Sequence, residues 1–346
     1  MSNVIRLEKQ GSFKMHPIVF SIKKSFFLYA FFLIMLFSLS ITTAHAERGI
    51  DVISEDGVQV FKAGKRYAIL VGISKYNQSD LNLLYSTNDV SALHNLLSDT
   101  KYGRYDKIKT VTDSQAKSLN IKKALADFDR VITSQDTILF FYAGHGVLVN
   151  GETYLLPHDV ELDYLELTGI KLKDLIDTIT KTSAKQKIVL LDACHSGGAI
   201  DSKVYSQRNV RNLNLDNLKN SRGIVIVSSS RSGEPSYEDD ETKHGLFTKY
   251  LIKGLKGEAD QYKTGNKNGF IEANEIYAYI NEEANNEAIK KIGKPQHAIM
   301  AGRVEGPFYL TYYIDFAKYL EDEKNREKER NDQQTKPIRR YVPVFN

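Results

Sequence analysis

The feature that most constrains this chain is a short apolar run that recurs several times and is closed each time by glycine or a polar residue. Arg66-Tyr-Ala-Ile-Leu-Val-Gly-Ile-Ser74, Asp136-Thr-Ile-Leu-Phe-Phe-Tyr-Ala-Gly-His-Gly146, Lys187-Ile-Val-Leu-Leu-Asp-Ala-Cys-His-Ser-Gly-Gly198 and Gly223-Ile-Val-Ile-Val-Ser228 all have that form. None alternates apolar with polar as a half-solvated strand does, so each reads as a strand buried on both faces. Between them, Asn88 to Ser98, Leu119 to Ile132 and Leu172 to Ile179 carry apolar residues at helical spacing, with Thr87 or Asn88 as N-cap of the first. Such alternation predicts an α/β fold with a mostly parallel sheet and right-handed crossovers. Asn150-Gly151 predicts a hairpin turn within Val147 to Leu156.

Two of these strands end in residues that carry chemistry. His145 is held between Gly144 and Gly146, and Cys194 is the single cysteine among 346 residues. Ligands of open α/β sheets gather beyond the carboxyl ends of the strands, so two parallel strands would bring a thiol and an imidazole to one edge. A thiol at neutral pH needs a neighbouring base to become a nucleophilic thiolate. A lone cysteine is more often a small buried hydrophobe, and a lone histidine is more often structural. Together the two are more specific, because the histidine precedes the cysteine by about 50 residues, the separation found in caspases. His195 competes poorly as the base, since adjacent side chains in an extended segment point apart.

Gly144-His-Gly146 and Asp192-Ala-Cys-His-Ser-Gly197 resemble the His-Gly and Asp-x-Cys-x-x-Gly segments of the metacaspase and paracaspase branch of the caspase-like cysteine peptidases. The resemblance runs from Lys65 to about Leu310 and departs from true caspases at Asp192. It implies a caspase-like sheet with helices on both faces, an α/β/α sandwich. It also implies that Cys194 attacks a peptide carbonyl, that His145 takes and returns the proton, and that the N–H groups of Gly146 and Cys194 receive the oxyanion. Caspases that cut after aspartate line the first pocket with arginines and a glutamine, whereas the family's arginine-specific members use carboxylates. Asp192 and Asp89 match those positions, and Glu238 in Gly233-Glu-Pro-Ser-Tyr-Glu238 falls near a third. Paired carboxylates select Arg or Lys by charge-assisted hydrogen bonds, although Asp89 also reads as a helix-start residue favoured by the dipole. The expected partners are thus peptides with Arg or Lys before the cut. A silent binding module and a Cys-His hydrolase of non-peptide amides are the alternatives. The presence of both His145 and Cys194 speaks against the first, and the acidic pocket against the second.

Around this domain, 65–312, the chain carries three further segments. Lys23-Lys24, the apolar run Ser25 to Ile41 and Ala44-His-Ala46 read as a signal peptide over 1–46, or as a membrane anchor if it stays uncut. The protein is therefore expected outside the cytoplasm, periplasmic or extracellular, and it touches a membrane only if that segment is retained. A leader, 47–64, precedes the domain, and a charged helix with a mobile tail, 313–346, follows it. Within the domain, 199–222 reads as a long exposed loop with Lys203, Arg208, Arg211, Lys219 and Arg222, open to self-cleavage. A helix is expected over His244 to Leu255, another from Gly269 to about Ala288, and a last strand at His297 to Ala301. A formal net charge of +4 is too slight to suggest nucleic acid. No cofactor is expected. Thr264 to Glu275 has calcium-loop spacing, but with a threonine first and one carboxylate among the principal ligand positions its affinity would be poor. The spacing of His145, Cys194 and His195 suits no closed zinc site.

Overall fold

The architecture comes from a computed structural model that describes residues 51–55, 58–62, 64–194, 215, 218, 223–231, 234–303 and 308–313. Strands β1 (Asp51–Glu55) and β2 (Val58–Lys62) form an antiparallel hairpin, so the predicted leader has regular structure of its own. Next come β3 (Arg66–Gly72), β4 (Lys107–Thr112), β5 (Thr137–Val149), β6 (Glu152–Leu155), β7 (Ile170–Lys171), β8 (Gln186–Cys194) and β9 (Val225–Ser228). The chain continues through β10 (Glu238–Asp239), β11 (His244–Gly245), β12 (Phe270–Glu272), β13 (Ile299–Ala301) and β14 (Tyr309–Tyr312). Among the described residues the main sheet has eight strands, with the path β13-β9-β8-β5-β3-β4, β6 attached to the far end of β5 and β7 to β6. Every neighbour pair from β9 to β4 along that path is parallel, and β13 alone on it runs antiparallel.

The apolar runs are continuous because successive side chains enter two different cores. Ile138, Phe140 and Tyr142 join Ile69, Val71, Val189 and Leu191 on one face. Leu139, Phe141 and Ala143 join Ala68, Leu70, Ile188 and Leu190 on the other. Helices α2 (Ser118–Asp129) and α3 (Leu172–Lys181) cover the first face through Ile121, Leu125, Phe128, Leu175, Ile176 and Ile179. Helices α1 (Ser86–Ser98), α4 (Leu246–Lys253) and α5 (Ala273–Ile292) cover the second. Each fully buried Phe or Leu contributes on the order of 1.5–3 kcal/mol, and it is the doubled burial of the central strands that fixes their order. The predicted α/β/α sandwich is what forms. Asn150 and Gly151 lie at φ 53° and 81°, the left-handed pair that a two-residue hairpin turn requires.

Several expectations are corrected. Helix α1 begins at Ser86, so neither Thr87 nor Asn88 is its N-cap, and Tyr85 before it supplies no side-chain cap. Distant groups serve instead: Ser74 Oγ accepts the Thr87 N–H at 3.0 Å, and the Glu238 carboxylate accepts those of Leu84 and Tyr85. His244 and Gly245 form β11 against β10, and α4 starts only at Leu246, because the Gly245 N–H is drawn to the Asp89 carboxylate. Phe270–Glu272 is a strand, and α5 starts after it. Ile299–Ala301 is not the last strand, since Tyr309–Tyr312 returns to pair with Phe270–Glu272. Leu215 and Leu218, inside the stretch read as an exposed loop, are buried in the core under α2 and α3. The rest of 199–222, the signal segment and the charged helix of the tail lie outside the described residues.

Candidate active site

The parallel pairing of β5 with β8 ends at the register His145↔Cys194, so the two backbones lie side by side at the carboxyl edge of the sheet. Beyond that point β5 leaves β8 and pairs with β6, Gly146 standing opposite Leu155. The flanking bond runs from the Leu156 N–H to the His145 carbonyl at 3.0 Å, which makes Gly146 and Leu155 a non-hydrogen-bonded pair. The Gly146 N–H is therefore directed away from β6, as an oxyanion donor would need.

The His145 side chain is fully buried. Its Nε2 lies 2.8 Å from the carbonyl oxygen of Leu81. A carbonyl can only accept, so Nε2 carries the hydrogen and Nδ1 is the nitrogen able to take a proton. The Tyr76 hydroxyl accepts the His145 N–H at 2.8 Å, and its ring packs on the imidazole with centroids 5.3 Å apart. Tyr142 donates its hydroxyl to the carbonyls of His145 and Leu156, each at 2.8 Å. The group that orients His145 is thus a backbone carbonyl, which no side-chain pattern could reveal.

Asp192, at the end of β8, and Asp89, in the first turn of α1, are both buried and converge on Gly245. A Cβ on Gly245 would lie 2.4 Å from Asp192 Oδ2 and 3.2 Å from Asp89 Oδ2, so this close approach requires glycine. Asp192 accepts from the hydroxyls of Ser236 (3.1 Å) and Thr248 (2.6 Å) and from the Thr248 N–H (3.2 Å). Asp89 accepts from His244 Nδ1 at 2.8 Å and from the Gly245 N–H at 3.2 Å. Burial raises the pKa of both carboxyls against these donors; that of Asp89 is pushed up to about 7, with the Asp192 charge adding to the rise. Glu238 stands beside them, its two oxygens engaged by the N–H groups of Leu84 and Tyr85. The structure therefore brings Asp89 and Asp192 together at the edge that carries His145 and Cys194, and gives Glu238 the start of α1 to hold.

Residues 65–300 match the model of the caspase domain of peptidase family C14. The chain belongs to that family. Metacaspase-4 of Arabidopsis thaliana is 26% identical over 229 residues, a span that covers 60% of this chain and 49% of that one. The Paracaspase of Dictyostelium discoideum is 24% identical over 191 residues, covering 55% and 44%. The chain spans about half the length of these curated relatives. Among solved structures, caspase-1 from Spodoptera frugiperda is similar at a TM-score of 0.49 and 16% identity, over 70% of this chain and 88% of that one.

Within this caspase domain the calcium-like segment is held by its own Glu275 and by Asp260 before it. Glu275 accepts the N–H groups of Asn266 and Glu272, each at 2.9 Å, as part of a capping box on α5. Asp260 accepts those of Asn268 and Gly269. Among the described residues, no group of three or more His, Cys, Asp or Glu could hold a metal ion. The contributors that sequence reasoning missed are Leu81, Ser236, His244, Thr248 and Gln296. They come from separate parts of the chain, and only Ser236, inside the 233–238 segment, stands in a motif that the sequence singles out.

Proposed function

We propose that this chain is a cysteine endopeptidase that cuts peptide bonds after Arg or Lys. Cys194 attacks the carbonyl and forms a thioester; His145 takes its proton at Nδ1 and passes it to the departing amine. The N–H groups of Gly146 and Cys194 receive the negative oxygen, where loss of one donor costs about 10²- to 10³-fold in rate. The observation that carries the specificity is the convergence of Asp89 and Asp192 on Gly245, next to the His145↔Cys194 register. Two buried carboxylates that repel one another favour a guanidinium or ammonium group between them, and an aspartate side chain would add a third negative charge. Export and self-processing belong to the same reading. The apolar segment before Glu47 carries the chain out of the cytoplasm, and the basic residues after Gly198 offer the enzyme its own preferred cut sites.

Hydrolysis of fluorogenic peptides ending in Arg, Lys or Asp, by the chain from Glu47 and by its Cys194→Ala variant, tests this reading. Arg- and Lys-ended peptides should be cut by the first protein and not by the second. A preference for Asp-ended peptides would overturn the pocket assignment, and full activity in folded Cys194→Ala would overturn the nucleophile.

A further inference from the structure

The two carboxylates of the proposed pocket are met by different sets of donors. Asp192 has three neutral donors dedicated to it, and the polarity of one of them is fixed from behind. Gln296, fully buried, uses Oε1 to accept the Tyr237 N–H at 2.9 Å, which leaves its amide nitrogen to donate to Ser236 Oγ at 3.0 Å and to the Ser229 carbonyl. Ser236 has one hydroxyl hydrogen, and with Gln296 donating to its oxygen that hydrogen goes to Asp192. Asp89 has less. Among the described residues its carboxylate receives the single Gly245 N–H, shared between both oxygens, and the His244 imidazole.

We infer that His244 is a specificity-determining positioning residue: by donating Nδ1–H to Asp89 it holds that carboxylate ionised beside Asp192, and so sets the pH range over which the pocket accepts a basic side chain. The inference rests on the proposed cleavage after Arg or Lys. Its geometry is specific. His244 is fixed by β11 pairing with Asp239, while Asn88 Nδ2 donates to the neighbouring Lys243 carbonyl and ties that strand to α1. The imidazole is partly exposed and lines a cleft of about 680 Å³ with Thr242, Asn95, Asp99 and Tyr102, so protons and water reach the ring from outside the pocket.

The charged groups around the pair come from both sheet strands and helices. Asp192 on β8 opposes ionisation of Asp89, and Glu238 on β10 opposes that of Asp192; Asp239 on β10 is already neutralised by Lys249 and by Lys291 of α5. On the cleft side, Lys249, Lys253 and Lys256 of α4 and the turn after it face Asp99 at the end of α1. The sign follows. Removing a donor from a carboxylate raises its pKa, so without His244 the proton stays on Asp89 to a higher pH. Asp89 then contributes its negative charge to the pocket only at higher pH. Burial has already brought Asp89 near neutrality, so a further rise falls within the working range.

The test is binding and hydrolysis measured side by side across about pH 5 to 9. Binding is followed by calorimetry with a short Arg-ended peptide on the Cys194→Ala chain, and hydrolysis with the Arg-ended fluorogenic peptide on the active one. His244→Ala should move the acid limb of peptide binding to higher pH, with affinity about tenfold weaker at neutral pH for each unit of displacement and recovering as the pH is raised. In hydrolysis the loss should be carried chiefly by KM. His244→Gln, whose amide still donates but does not titrate, should lie between wild type and His244→Ala, which separates a lost hydrogen bond from a misfolded strand. If wild type cuts Arg-ended peptides while both variants give superimposable pH profiles, or lose kcat in place of KM, this inference is overturned alone. If wild type ignores Arg- and Lys-ended peptides and cuts Asp-ended ones, the pocket reading falls, and this inference with it.

Discussion

At the scale of single residues, the tension lies between stability and charge. Asp89 is a carboxyl whose folded-state pKa is raised by burial to about 7, above its value of about 3.8 in an unfolded chain. A raised pKa means that the unfolded state ionises first. The contribution of Asp89 to stability is therefore full below about pH 4 and is lost progressively as the pH rises through about 7. Asp89→Asn should accordingly leave stability nearly unchanged in acid and increase it at and above neutral pH, by on the order of a few kcal/mol or less in unfolding free energy, with a matching rise in melting temperature, while weakening cleavage after Arg. Thermal unfolding of both proteins at acid and mildly alkaline pH reads this directly; a variant less stable than wild type at alkaline pH would contradict it. Asp192→Ala should cost more, because it strands the Ser236 and Thr248 donors in a buried site at about 1–3 kcal/mol each. Arg and Lys cleavage should fall by more than this loss of stability explains. His145, Cys194, Asp192 and Asp89 could be singled out as candidates in sequence because each sits in or beside a short motif. Leu81 and His244 were not. One acts through a backbone carbonyl, and the other's partner is Asp89, more than a hundred residues away.

At the scale of elements, strands buried on both faces announce themselves, and β3, β5, β8 and β9 were readable from uninterrupted apolar runs. Boundaries set by long-range bonds were not. The first turn of α1 is held by Ser74 and Glu238, and the start of α4 is displaced by the pull of Asp89 on Gly245. The hairpin of β10 and β11 that carries His244 is tied to α4 and α5 by a charge cluster. Lys249 Nζ lies 2.9 Å from Asp239 and 2.8 Å from Glu287, and Lys291 reaches both acids as well. Burial opposes ionisation of Asp239, yet hydrogen bonds from Thr242, Lys249 and Lys291 outweigh it and hold the carboxyl well below its usual range. Lys249→Met should destabilise the fold by roughly 2 kcal/mol in urea titration, less than a wholly unpaired buried charge costs, because Lys291 remains. An unchanged midpoint would mean that the cluster contributes nothing. The segment after Gly198 follows from the same kind of bookkeeping. Leu215 and Leu218 anchor its far end in the core, which leaves the bonds after Lys203, Arg208 and Arg211 as the expected sites of self-cleavage. Wild type should give two fragments on a denaturing gel and Cys194→Ala one. An intact wild-type chain with full peptidase activity would show that processing is not required.

At the scale of the whole molecule, one sheet edge gathers residues from widely separated parts of the chain. The end of β5 supplies His145, the end of β8 supplies Asp192 and Cys194, α1 supplies Asp89, and β11 supplies Gly245. The parallel topology makes this possible, since parallel strands end together and their carboxyl ends face one side. A caspase domain so built has His145 and Cys194 in register by main-chain pairing alone, and Asp192 and Asp89 meet at Gly245 because the second half of the domain folds back on the first. That closure explains why the pocket was only partly legible: the motifs name the carboxylates, but their company of donors is assembled by the fold. The most direct measurement is the initial rate of hydrolysis of matched Arg-, Lys- and Asp-ended fluorogenic peptides by the chain from Glu47, with folded Cys194→Ala as control. Cleavage confined to the Arg- and Lys-ended peptides and abolished in Cys194→Ala is the expected result; cleavage after Asp, or undiminished cleavage by Cys194→Ala, would contradict it.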